Sequence, residues 1–310
     1  MQPLDLATAD RLLAAAGLGS RARSVETLKR GAASSVVAVR SAGGRDTVVK
    51  LYAERPAWKM EKEVRVYHAL AGPIERVLPR ILAADASRTA VQHRYVLMSR
   101  LPGRPLLDVL DRLDERQRAG VYRELGGLLR ELHEPPAEAF GYIGRLGVRR
   151  PHATNLAYVR ERFEERLREH ARLGGDAAVR RRIERAVTAG EELLARCVRP
   201  ALCHNDCHEE NVLVARGRAG WRVCGLVDFA NAVGADPLFD LAGAYCYSRA
   251  PSRSSAAALL DGYGPLPDGW RETLRLYALY HRLDLWVWRR AAERRRALPA
   301  LLPTAALQRA

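Results

Sequence analysis

The chain has 310 residues, 48% of them hydrophobic and 28% charged, which are ordinary values for a globular protein with one large core or two lobes. The net charge of +15 is typical of nucleic-acid-binding proteins, but arginine supplies nearly all of it and is interleaved with glutamate in helical segments such as 160–173. The chain shows no nucleic-acid motif and no apolar run long enough to cross a bilayer, so we expect neither a nucleic-acid partner nor a membrane partner.

The N-terminus and the cysteines favour a cytoplasmic protein. Residues 1–19 are amphipathic, carry Asp5 and Asp10, and lack the basic segment with which a secretory signal begins. The five cysteines are an odd number in a long chain, which is typical of reduced thiols rather than of a disulfide framework.

The first hundred residues predict a small β-rich unit. Runs of β-branched residues on either side of a glycine turn indicate a hairpin, and a helical period and another strand follow it. The predicted elements are a helix at 4–16, strands at 34–41 and 46–52, a helix at 57–70 and a strand at 94–101. A proline–glycine breaker comes next, so we place a domain boundary near Ser99–Gly103.

After Pro105 the periodicity becomes helical. The predicted elements are helices at 106–113, 115–133, 155–173 and 177–197, a hairpin at 211–229, and further helices to the end. A β-rich unit followed by a mainly helical unit predicts an α+β fold.

The stretch "CHNDCHEENVLV", from Cys203 to Val214, holds an unusual density of reactive side chains. As soft ligands, Cys203, His204, Cys207 and His208 suggest zinc. Structural zinc sites pair two such clusters, however, and no second pair follows at a suitable distance. We therefore do not expect a zinc site.

Three oxygen-bearing side chains of this stretch and of the hairpin behind it favour phosphoryl transfer. Asn211 opens one apolar run and Asp228 closes the next, so a hairpin that turns at Ala219–Gly220 brings the two together. Such ligands suit Mg²⁺, and a carboxylate at Asp206, on the preceding loop, can accept a proton from a substrate hydroxyl. Each residue alone is more often a turn or cap residue, but together, in this order, they match the arrangement of kinases.

Two segments carry a family resemblance. "HNDCHEEN" at 204–211 resembles H-x-D-x4-N, and "LVDFANAVGADPLFDLA" at 226–242 resembles a signature of D-[WF], D-P and D-L-A. With the hinge-like "YVLMSRLPGRPL", they make the chain similar to the aminoglycoside phosphotransferase and choline kinase family over about residues 28–285. The departures are Ala235 in place of glycine, the loop centre "CHEE", and a phosphate loop, "KRGAASSVV", that has a single glycine.

The resemblance implies a bilobal, protein-kinase-like α+β fold. Its small β-rich lobe, at 1–99, would bind the nucleotide. Its larger, mostly helical lobe, at 100–310, would carry the catalytic and substrate-binding groups and include a helical insert at about 151–197. The resemblance also implies Mg²⁺ as cofactor and ATP as co-substrate, with GTP as the alternative nucleotide.

Residue by residue, the resemblance assigns roles around the nucleotide. Asp206 corresponds to the catalytic carboxylate, and Asn211 and Asp228 correspond to the metal ligands. Lys50, at the end of a strand, corresponds to the lysine that holds the phosphates, and Glu63, at the inward edge of the following helix, to its partner. A surface lysine and a solvated helix glutamate are the ordinary alternatives for these two.

The other positions implied by the resemblance lie around these five. They are Ser34 and the amides after Gly31 for phosphate, and Ser99 and Leu101 at the hinge for a purine. His204 would brace the catalytic loop, Asp240 would fix that loop through hydrogen bonds, and Asp236 would cap the following turn or helix.

The acceptor is expected to be a hydroxyl group of a small molecule, because the chain has no A-P-E segment and no room for the activation loop of a protein kinase. Carboxylates near the point of transfer would suit a cationic acceptor. The candidates are Glu209, Glu210, Asp261, Asp268, Glu272 and Asp284. The aromatic run at 277–288 is either core or the lining of an acceptor pocket.

Phosphorylation of an antibiotic of the aminoglycoside, peptide or nucleoside type, which would inactivate it, is the favoured role. The alternatives are a metabolic kinase for choline, a fructosamine, methylthioribose or homoserine, and a non-catalytic nucleotide-binding scaffold. Loss of Lys50, Asp206 or Asp228 would mark a scaffold, and all three are present. We expect a monomer or a homodimer, and the sequence leaves the acceptor and the nucleotide preference open.

Overall fold

The computed structural model describes residues 4–31, 34–43, 45–54, 58–70, 72, 74–218, 220–249 and 252–301, with side chains as far as residue 293. The elements of the N-terminal part are α1 (Leu6–Ala15), β1 (Ala22–Arg30), β2 (Ser34–Ser41), β3 (Thr47–Tyr52), α2 (Lys59–Ala69), β4 (Ile81–Asp85) and β5 (Arg94–Ser99). The strands form one antiparallel sheet in the order β1-β2-β3-β5-β4.

The two faces of this sheet are covered by different helices. On one face, Leu12 of α1 packs with Val49 and Leu51 of β3 in a buried cluster. Because side chains alternate along a strand, Lys50 and Tyr52 point to the other face, where α2 packs. The strand period therefore directs Lys50 toward α2.

The sequence pattern does not predict β1, which pairs with β2 at the edge of the sheet. Its residues are polar and mostly exposed, and two register shifts interrupt its pairing. An exposed edge strand has no buried face, so it lacks the alternation of polar and apolar residues that reveals a strand.

The C-terminal part is mainly helical and begins at β6. Its elements are β6 (Arg104–Pro105), α3 (Glu115–His133), β7 (Phe140–Ile143), β8 (Val148–His152), α4 (Asn155–Arg172), α5 (Ala177–Ala189), α6 (Glu191–Ala195), β9 (Ala201–Cys203), β10 (Val212–Gly217), β11 (Gly220–Leu226), β12 (Val233–Ala235), α7 (Pro237–Cys246), α8 (Arg253–Tyr263) and α9 (Trp270–Leu301). Two small sheets have the strand orders β11-β10-β6 and β8-β7-β12-β9.

Helices α3 and α8 lie unusually close together. A Cβ atom added to Gly126 would meet the Leu259 carbonyl oxygen at 2.0 Å, and one added to Gly262 would meet the Arg123 carbonyl oxygen at 1.9 Å. Glycine at both positions lets the two backbones touch. The contact brings Tyr263, at the end of α8, beside the end of α3.

Two predicted helices differ from the structure. Residues 106–113 form two short 3₁₀ turns instead of an α-helix, and the amide of Leu107 donates to the Glu209 carbonyl at 3.1 Å. The helix predicted at 177–197 is broken at Gly190 into α5 and α6. A Cβ atom there would lie 2.3 Å from a methyl group of Leu276 of α9, so a larger residue would have to displace that side chain.

Among the described residues, no helix combines the length and the apolar character needed to cross a membrane. All five cysteines are described, and each is a free thiol, as the sequence predicts.

Candidate active site

A cleft of about 550 Å³ lies between the five-stranded sheet and the β10–β11 hairpin. Its walls carry apolar side chains from both sides; among them are Val36, Val48 and Met98 from the sheet and Leu213 and Val227 from the hairpin. A flat heteroaromatic ring fits between apolar walls of this kind, with polar groups confined to one end.

The hairpin brings Asn211 and Asp228 to the same end of the cleft. Val212 pairs with Leu226, and the amide of Val227 donates to the Asn211 carbonyl at 3.0 Å. Asn211 lies opposite Val227, one residue from the expected pairing with Asp228. Gly217 pairs with Gly220 at the turn, and the shift between Leu213 and Val214 brings the pairing one residue nearer to the expected register. The predicted turn includes Ala219, which lies outside the described residues.

Asp228 ends the strand with a change in backbone conformation. Its φ of 71° is in the left-handed region, which aspartate tolerates better than most residues. Its amide donates to the Tyr67 hydroxyl at 3.2 Å, so a residue of α2 holds the turn. Sparsely populated backbone conformations held by surrounding contacts cluster at functional sites.

Side chains on both sides orient the Asp206 carboxylate. Asn231 donates through Nδ2 to Oδ2 at 2.9 Å, and His208 lies with Nε2 3.3 Å from Oδ1. Asn211 donates through Nδ2 to the Asp206 carbonyl at 2.9 Å, which leaves its Oδ1 as the atom that can bind a cation. Burial acts against a charged His208, but the Asp206 carboxylate raises the pKa of the imidazole above its ordinary value.

Asp240 fixes the loop that carries Asp206 through hydrogen bonds, as the resemblance implies. The amides of His204 and Asn205 each donate to one of its oxygens at 2.6 Å. His133 of α3 lies 3.1 Å from Oδ2 and, despite the opposing effect of burial, lowers the pKa of the carboxyl group. His204 contacts the Val227 carbonyl through Nε2 at 3.0 Å, which is the expected brace.

Asp236 caps α7, which is also confirmed. It accepts a hydrogen bond from the Leu238 amide at 2.9 Å through Oδ1 and from the Tyr277 hydroxyl at 2.9 Å through Oδ2. A cap of this kind satisfies an amide that the helix leaves without a partner.

A triad of ions lies at the polar end of the cleft, with Lys50 and Glu63 buried and Asp228 partly exposed. Lys50 Nζ is 2.9 Å and 2.7 Å from the two oxygens of Glu63 and 3.0 Å from Asp228 Oδ1. The side chains of Lys50 and Glu63 are only 5% and 1% exposed. The structure thus excludes, for both residues, the alternative of a solvated surface charge.

Lys50 and Asp228 are held in their charged forms. Although burial opposes charge on both groups, Asp228 and Glu63 raise the pKa of the Lys50 ammonium, and Lys50 lowers the pKa of the Asp228 carboxyl group well below its ordinary range. The Tyr52 hydroxyl donates to Glu63 at 2.7 Å, which fixes the carboxylate.

The cysteines of this region are part of the core. Cys203 and Cys207 are buried, and burial raises the pKa of both thiols, so they stay protonated. His133, Cys203 and Asp240 have ligand atoms within 4.8 Å of one another, but both oxygens of Asp240 accept hydrogen bonds from the catalytic loop. The cluster therefore braces the loop that carries Asp206.

The other positions that the resemblance implies for the nucleotide differ in whether they line the cleft. Ser99 and Leu101 line the cleft, although the Ser99 amide donates to the Arg80 carbonyl at 2.9 Å and is not free for a purine. Ser34 is not among the cleft-lining residues; its carbonyl accepts from the Gly31 amide at 2.9 Å and closes the turn before β2. The amides of residues 32 and 33, also expected at the phosphates, lie outside the described residues.

Glu209 does not face an acceptor. It is 2% exposed and accepts from the Tyr122 hydroxyl at 2.7 Å, from the Ser248 hydroxyl and from the Arg249 amide at 3.2 Å. Since this network occupies both carboxylate oxygens, the expectation that Glu209 binds substrate is wrong. The long-range partners of Glu209, which sequence spacing does not reveal, account for the error.

Glu210 does lie at the cleft, but it is paired. Lys29 of β1 is 2.8 Å from one of its oxygens and Arg249 is 3.1 Å from the other. The hydrogen bond from Lys29 is the main cause of the lowered pKa of Glu210. A carboxylate that is paired with two cations attracts a cationic acceptor only weakly.

The carboxylates of the last helices are also paired. Asp261 binds Arg123 at 2.7 Å, and Glu272 lies 3.4 Å from Arg275. Both are exposed side chains on the surface of the helical part. Asp284 is nearer the site, because the Tyr247 hydroxyl donates to it at 3.2 Å. Burial, followed by the negative charges of Asp284 and Asp206, raises the pKa of this hydroxyl, so it stays protonated and can donate.

Asp284 also forms an ion pair, since Arg166 Nε lies 2.7 Å from its other oxygen. The aromatic run at 277–288 is mostly core, because Tyr277, Tyr280 and Val287 are buried, whereas Trp288 is exposed. Asp268 lies away from the cleft, on the wall of a separate cavity of the helical part.

Several residues that complete the site are not foreseen in the sequence. Tyr52, Tyr67 and Asn231 hold Glu63, Asp228 and Asp206. Only Asn231 lies close in sequence to the residues of the signature, and nothing in its spacing distinguishes it from an ordinary turn asparagine. The tyrosines look like core residues of a strand and a helix.

A family model described as the phosphotransferase enzyme family matches residues 24–276, which is more than half of the chain. A search of curated proteins gives no match.

Solved structures resemble the chain along most of its length. A thermostable mutant of aminoglycoside phosphotransferase APH(4)-Ia, in its apo form, is 20% identical and has a TM-score of 0.69, with 92% of each chain covered. The GDP and kanamycin complex of APH(2")-IIia is 15% identical and has a TM-score of 0.68, with 96% of this chain and 100% of that chain covered.

A putative fructosamine-3-kinase from Thermobifida fusca YX-ER1 is 21% identical, with a TM-score of 0.64 and coverage of 89% of this chain and 95% of that chain. At such identities the likeness shows the fold alone. The expected α+β fold is confirmed.

Proposed function

Since the chain belongs to the phosphotransferase enzyme family, we propose that it transfers the γ-phosphoryl group of ATP, or of GTP, to a hydroxyl group of a small molecule at the polar end of this cleft. The observation that carries the proposal is the convergence of Asp206, Asn211 and Asp228 with the buried pair of Lys50 and Glu63. Phosphoryl transfer depends mainly on positioning and on charge stabilisation, and this set of groups supplies both.

Asn211 and Asp228 would hold Mg²⁺. The donor set fits this ion, because an amide oxygen left free by the Nδ2 hydrogen bond and a carboxylate that stays ionised are hard oxygen ligands. When bound, the ion supplies positive charge to the phosphates. Lys50 binds phosphate oxygens as a point charge, and Glu63 keeps its ammonium in place.

Asp206 orients the acceptor hydroxyl and takes its proton. The hydrogen bond from Asn231 and the contact with His208 hold the carboxylate in one orientation, so its remaining lone pairs face a fixed direction. Groups that hold reactants in one geometry lower the entropy cost of the reaction.

The acceptor we propose is an antibiotic of low positive charge, of the peptide or nucleoside type. An aminoglycoside is less favoured by the charges, because Glu209, Glu210 and Asp284 already have partners. One of the similar solved structures is that of a putative fructosamine-3-kinase, so a metabolic hydroxyl compound is the second candidate. A non-catalytic scaffold remains the alternative of another class.

We further propose a division of labour at residue 99. The sheet that carries Lys50 ends at Ser99 and would form the nucleotide-binding lobe, 1–99. The catalytic and substrate-binding lobe would be 100–310, with the helical insert at about 151–197. The free thiols are in keeping with a cytoplasmic protein, which we expect to act as a monomer or homodimer.

Coupled nucleotide turnover with Mg²⁺ tests the function. The wild type and Asp206→Asn would be incubated with antibiotics of each type, with fructosamines and with metabolite alcohols, and the products weighed by mass spectrometry. A gain of one phosphoryl group that needs Asp206 supports the proposal and identifies the acceptor. Nucleotide binding without transfer to any compound would favour the scaffold.

A further inference from the structure

Lys62 is a buried amine without a hydrogen-bond partner. It lies on α2 beside Glu63 and is 0% exposed, and its Nζ has no hydrogen-bond partner among the described residues. Nζ lies 3.4 Å from the centre of the Tyr142 ring. Lysine is seldom fully buried without a partner, because the loss of hydration penalises its charge. The position therefore calls for a reason.

Tyr142 connects this amine to the catalytic segment. It lies on β7, in the C-terminal part, and its hydroxyl donates to the Ala230 carbonyl at 2.8 Å. Ala230 stands between Asp228 and Asn231. The indole of Trp58, at the start of α2, also contacts the Tyr142 ring edge-on, with ring centres 5.7 Å apart.

The other contacts between α2 and the C-terminal part differ in burial. Arg65 pairs with Glu138 and Glu61 with Arg145, and all four side chains are a third or more exposed. Exposed pairs contribute little to stability. Buried contacts come from Lys62 on Tyr142, from Tyr67, whose ring meets that of Phe229 at 5.4 Å, and from Val66 and Leu70, which belong to the same buried cluster as the core of the C-terminal part.

We propose that Lys62 is a positioning residue for phosphoryl transfer, because its amine, packed on Tyr142, holds α2 on the C-terminal part and keeps Glu63 within reach of Lys50. The inference rests on the proposed function, which gives Glu63 and Lys50 their roles with the nucleotide. If α2 moved away, Glu63 would leave Lys50 paired with Asp228 alone, and Lys50 would be drawn toward the metal site.

The contact is sensitive to charge. Burial lowers the pKa of Lys62 to about 6. The positive charges of Lys59 and Arg149 act in the same direction, whereas the negative charges of Glu63 and Asp228 oppose the shift. These four charged groups act on the amine from α2 itself, from β8 and from the segment after β11, and Arg162 and Asp206 act on the Tyr142 hydroxyl beside it. Tyr142 stays neutral, because burial raises the pKa of its hydroxyl to about 12. At neutral pH the amine therefore rests uncharged on the ring. Acid adds a buried charge that, among the described residues, has the face of the Tyr142 ring but no hydrogen-bond acceptor beside it.

The test compares paired variants at each side of the contact. Lys62→Met keeps the length and the neutral state of the side chain, whereas Lys62→Arg introduces a permanent positive charge. Tyr142→Phe keeps the ring, whereas Tyr142→Leu removes it. For each variant, kcat and KM for ATP and KM for the acceptor are measured from one unit below the Lys62 pKa to two units above it. Circular dichroism and Tm show whether each variant folds.

We expect Lys62→Arg and Tyr142→Leu to lose at least about tenfold in kcat/KM for ATP while KM for the acceptor stays the same. Lys62→Met and Tyr142→Phe lose less than their partners. The wild type loses kcat/KM below the Lys62 pKa, and Lys62→Met does not show this acid loss.

Wild-type kcat/KM in folded Lys62→Arg and Tyr142→Leu would overturn the proposal and leave Lys62 as a packing residue. If Lys62→Arg fails to fold, the two Tyr142 variants decide the question. If the wild type itself transfers no phosphoryl group, the proposed function fails. The affinities of the same variants for Mg·ATP then test the positioning role of Lys62, and equal affinities would refute it.

Discussion

On the side of the cleft proposed for the nucleotide, Lys50 and Glu63 expose 5% and 1% of their side chains, whereas on the side proposed for the acceptor Arg249 and Glu210 expose 65% and 26%. The first pair is also tied by Tyr52 and Asp228. The second is shared with Lys29, which is 44% exposed. Both sides therefore carry ion pairs, but in different surroundings.

The difference in burial gives the two sides different tasks. Ions that have lost their hydration need good geometry, and removal of one partner leaves a buried charge uncompensated. Exposed pairs are screened by water and salt and exchange partners at little cost. We infer that the buried side fixes the chemistry and that the exposed side can adapt to the acceptor. The following variants test this contrast, from the largest expected effect to the smallest.

Asp206→Asn should lower kcat by about 10²–10⁴-fold, because the variant cannot take the proton of the acceptor hydroxyl. The amide keeps the size of the side chain, so nucleotide affinity and Tm should stay near the wild-type values. Steady-state turnover with mass-verified product measures the loss. Near-normal turnover would remove Asp206 from the reaction.

Asp228→Ala should weaken binding of Mg·ATP by at least about 100-fold, more than the loss of an outer partner of a metal site costs. Calorimetry with and without Mg²⁺ separates the ion from the nucleotide. Asp261→Ala, which removes an exposed carboxylate paired with Arg123, is the control and should bind normally. Equal affinities for the two variants would contradict the metal assignment.

Glu63→Gln should destabilise the fold by about 3 kcal/mol, because it breaks a buried ion pair of Lys50. Tyr52 keeps an acceptor in the amide oxygen, so the expected loss comes from the charge. Urea unfolding measures it. Glu61→Gln changes a half-buried glutamate on the same helix and should cost less than about 1 kcal/mol. A similar loss in both would show that burial is not the cause.

Lys62→Met should make the fold less sensitive to pH. The ordinary pKa of the side chain is 10.5, and in the folded chain it is lowered to about 6. Between these values the unfolded state binds a proton that the folded state does not, so the stability of the wild type rises with pH across this range. The variant should be more stable than the wild type below pH 6, by a margin that shrinks toward pH 10.5. A constant margin in Tm would refute the shift.

Glu210→Gln should have the smallest effect, less than about 1 kcal/mol on stability, because its partners are exposed. The sharper readout is KM for the acceptor as a function of salt. The salt dependence should be weaker in the variant, since a screened ion pair is gone. A loss of stability as large as that of Glu63→Gln would contradict the inferred difference between the buried and the exposed side of the cleft.

The sequence predicts which residues meet on the proposed nucleotide side, because that information is local. Asp206 and Asn211 share one loop, a hairpin brings in Asp228, and the strand and helix periods direct Lys50 and Glu63 to the same space. Such short-range regularities survive without knowledge of the tertiary structure.

The acceptor side is not readable in the same way. Glu209 looks like a solvated glutamate until Tyr122, 87 residues earlier, and Ser248, 39 residues later, enclose it. Lys62 stands in a charged helical segment, where a solvated lysine is the ordinary expectation, and its burial depends on Tyr142. The edge strand β1 is hidden for the opposite reason, since it has no buried face. Contacts between distant segments decide the first two.

The position of Asp240 in the chain affects the order in which parts of the protein fold during synthesis. Its carboxylate receives the amides of His204 and Asn205, and His133 orients it from the other side. During synthesis the ribosome therefore releases the loop that carries Asp206 well before the residue that fixes it. The strands that carry Lys50 need nothing later than β5 to pair. A nascent chain would thus complete the sheet of the nucleotide side first and acquire its catalytic loop only once α7 has emerged.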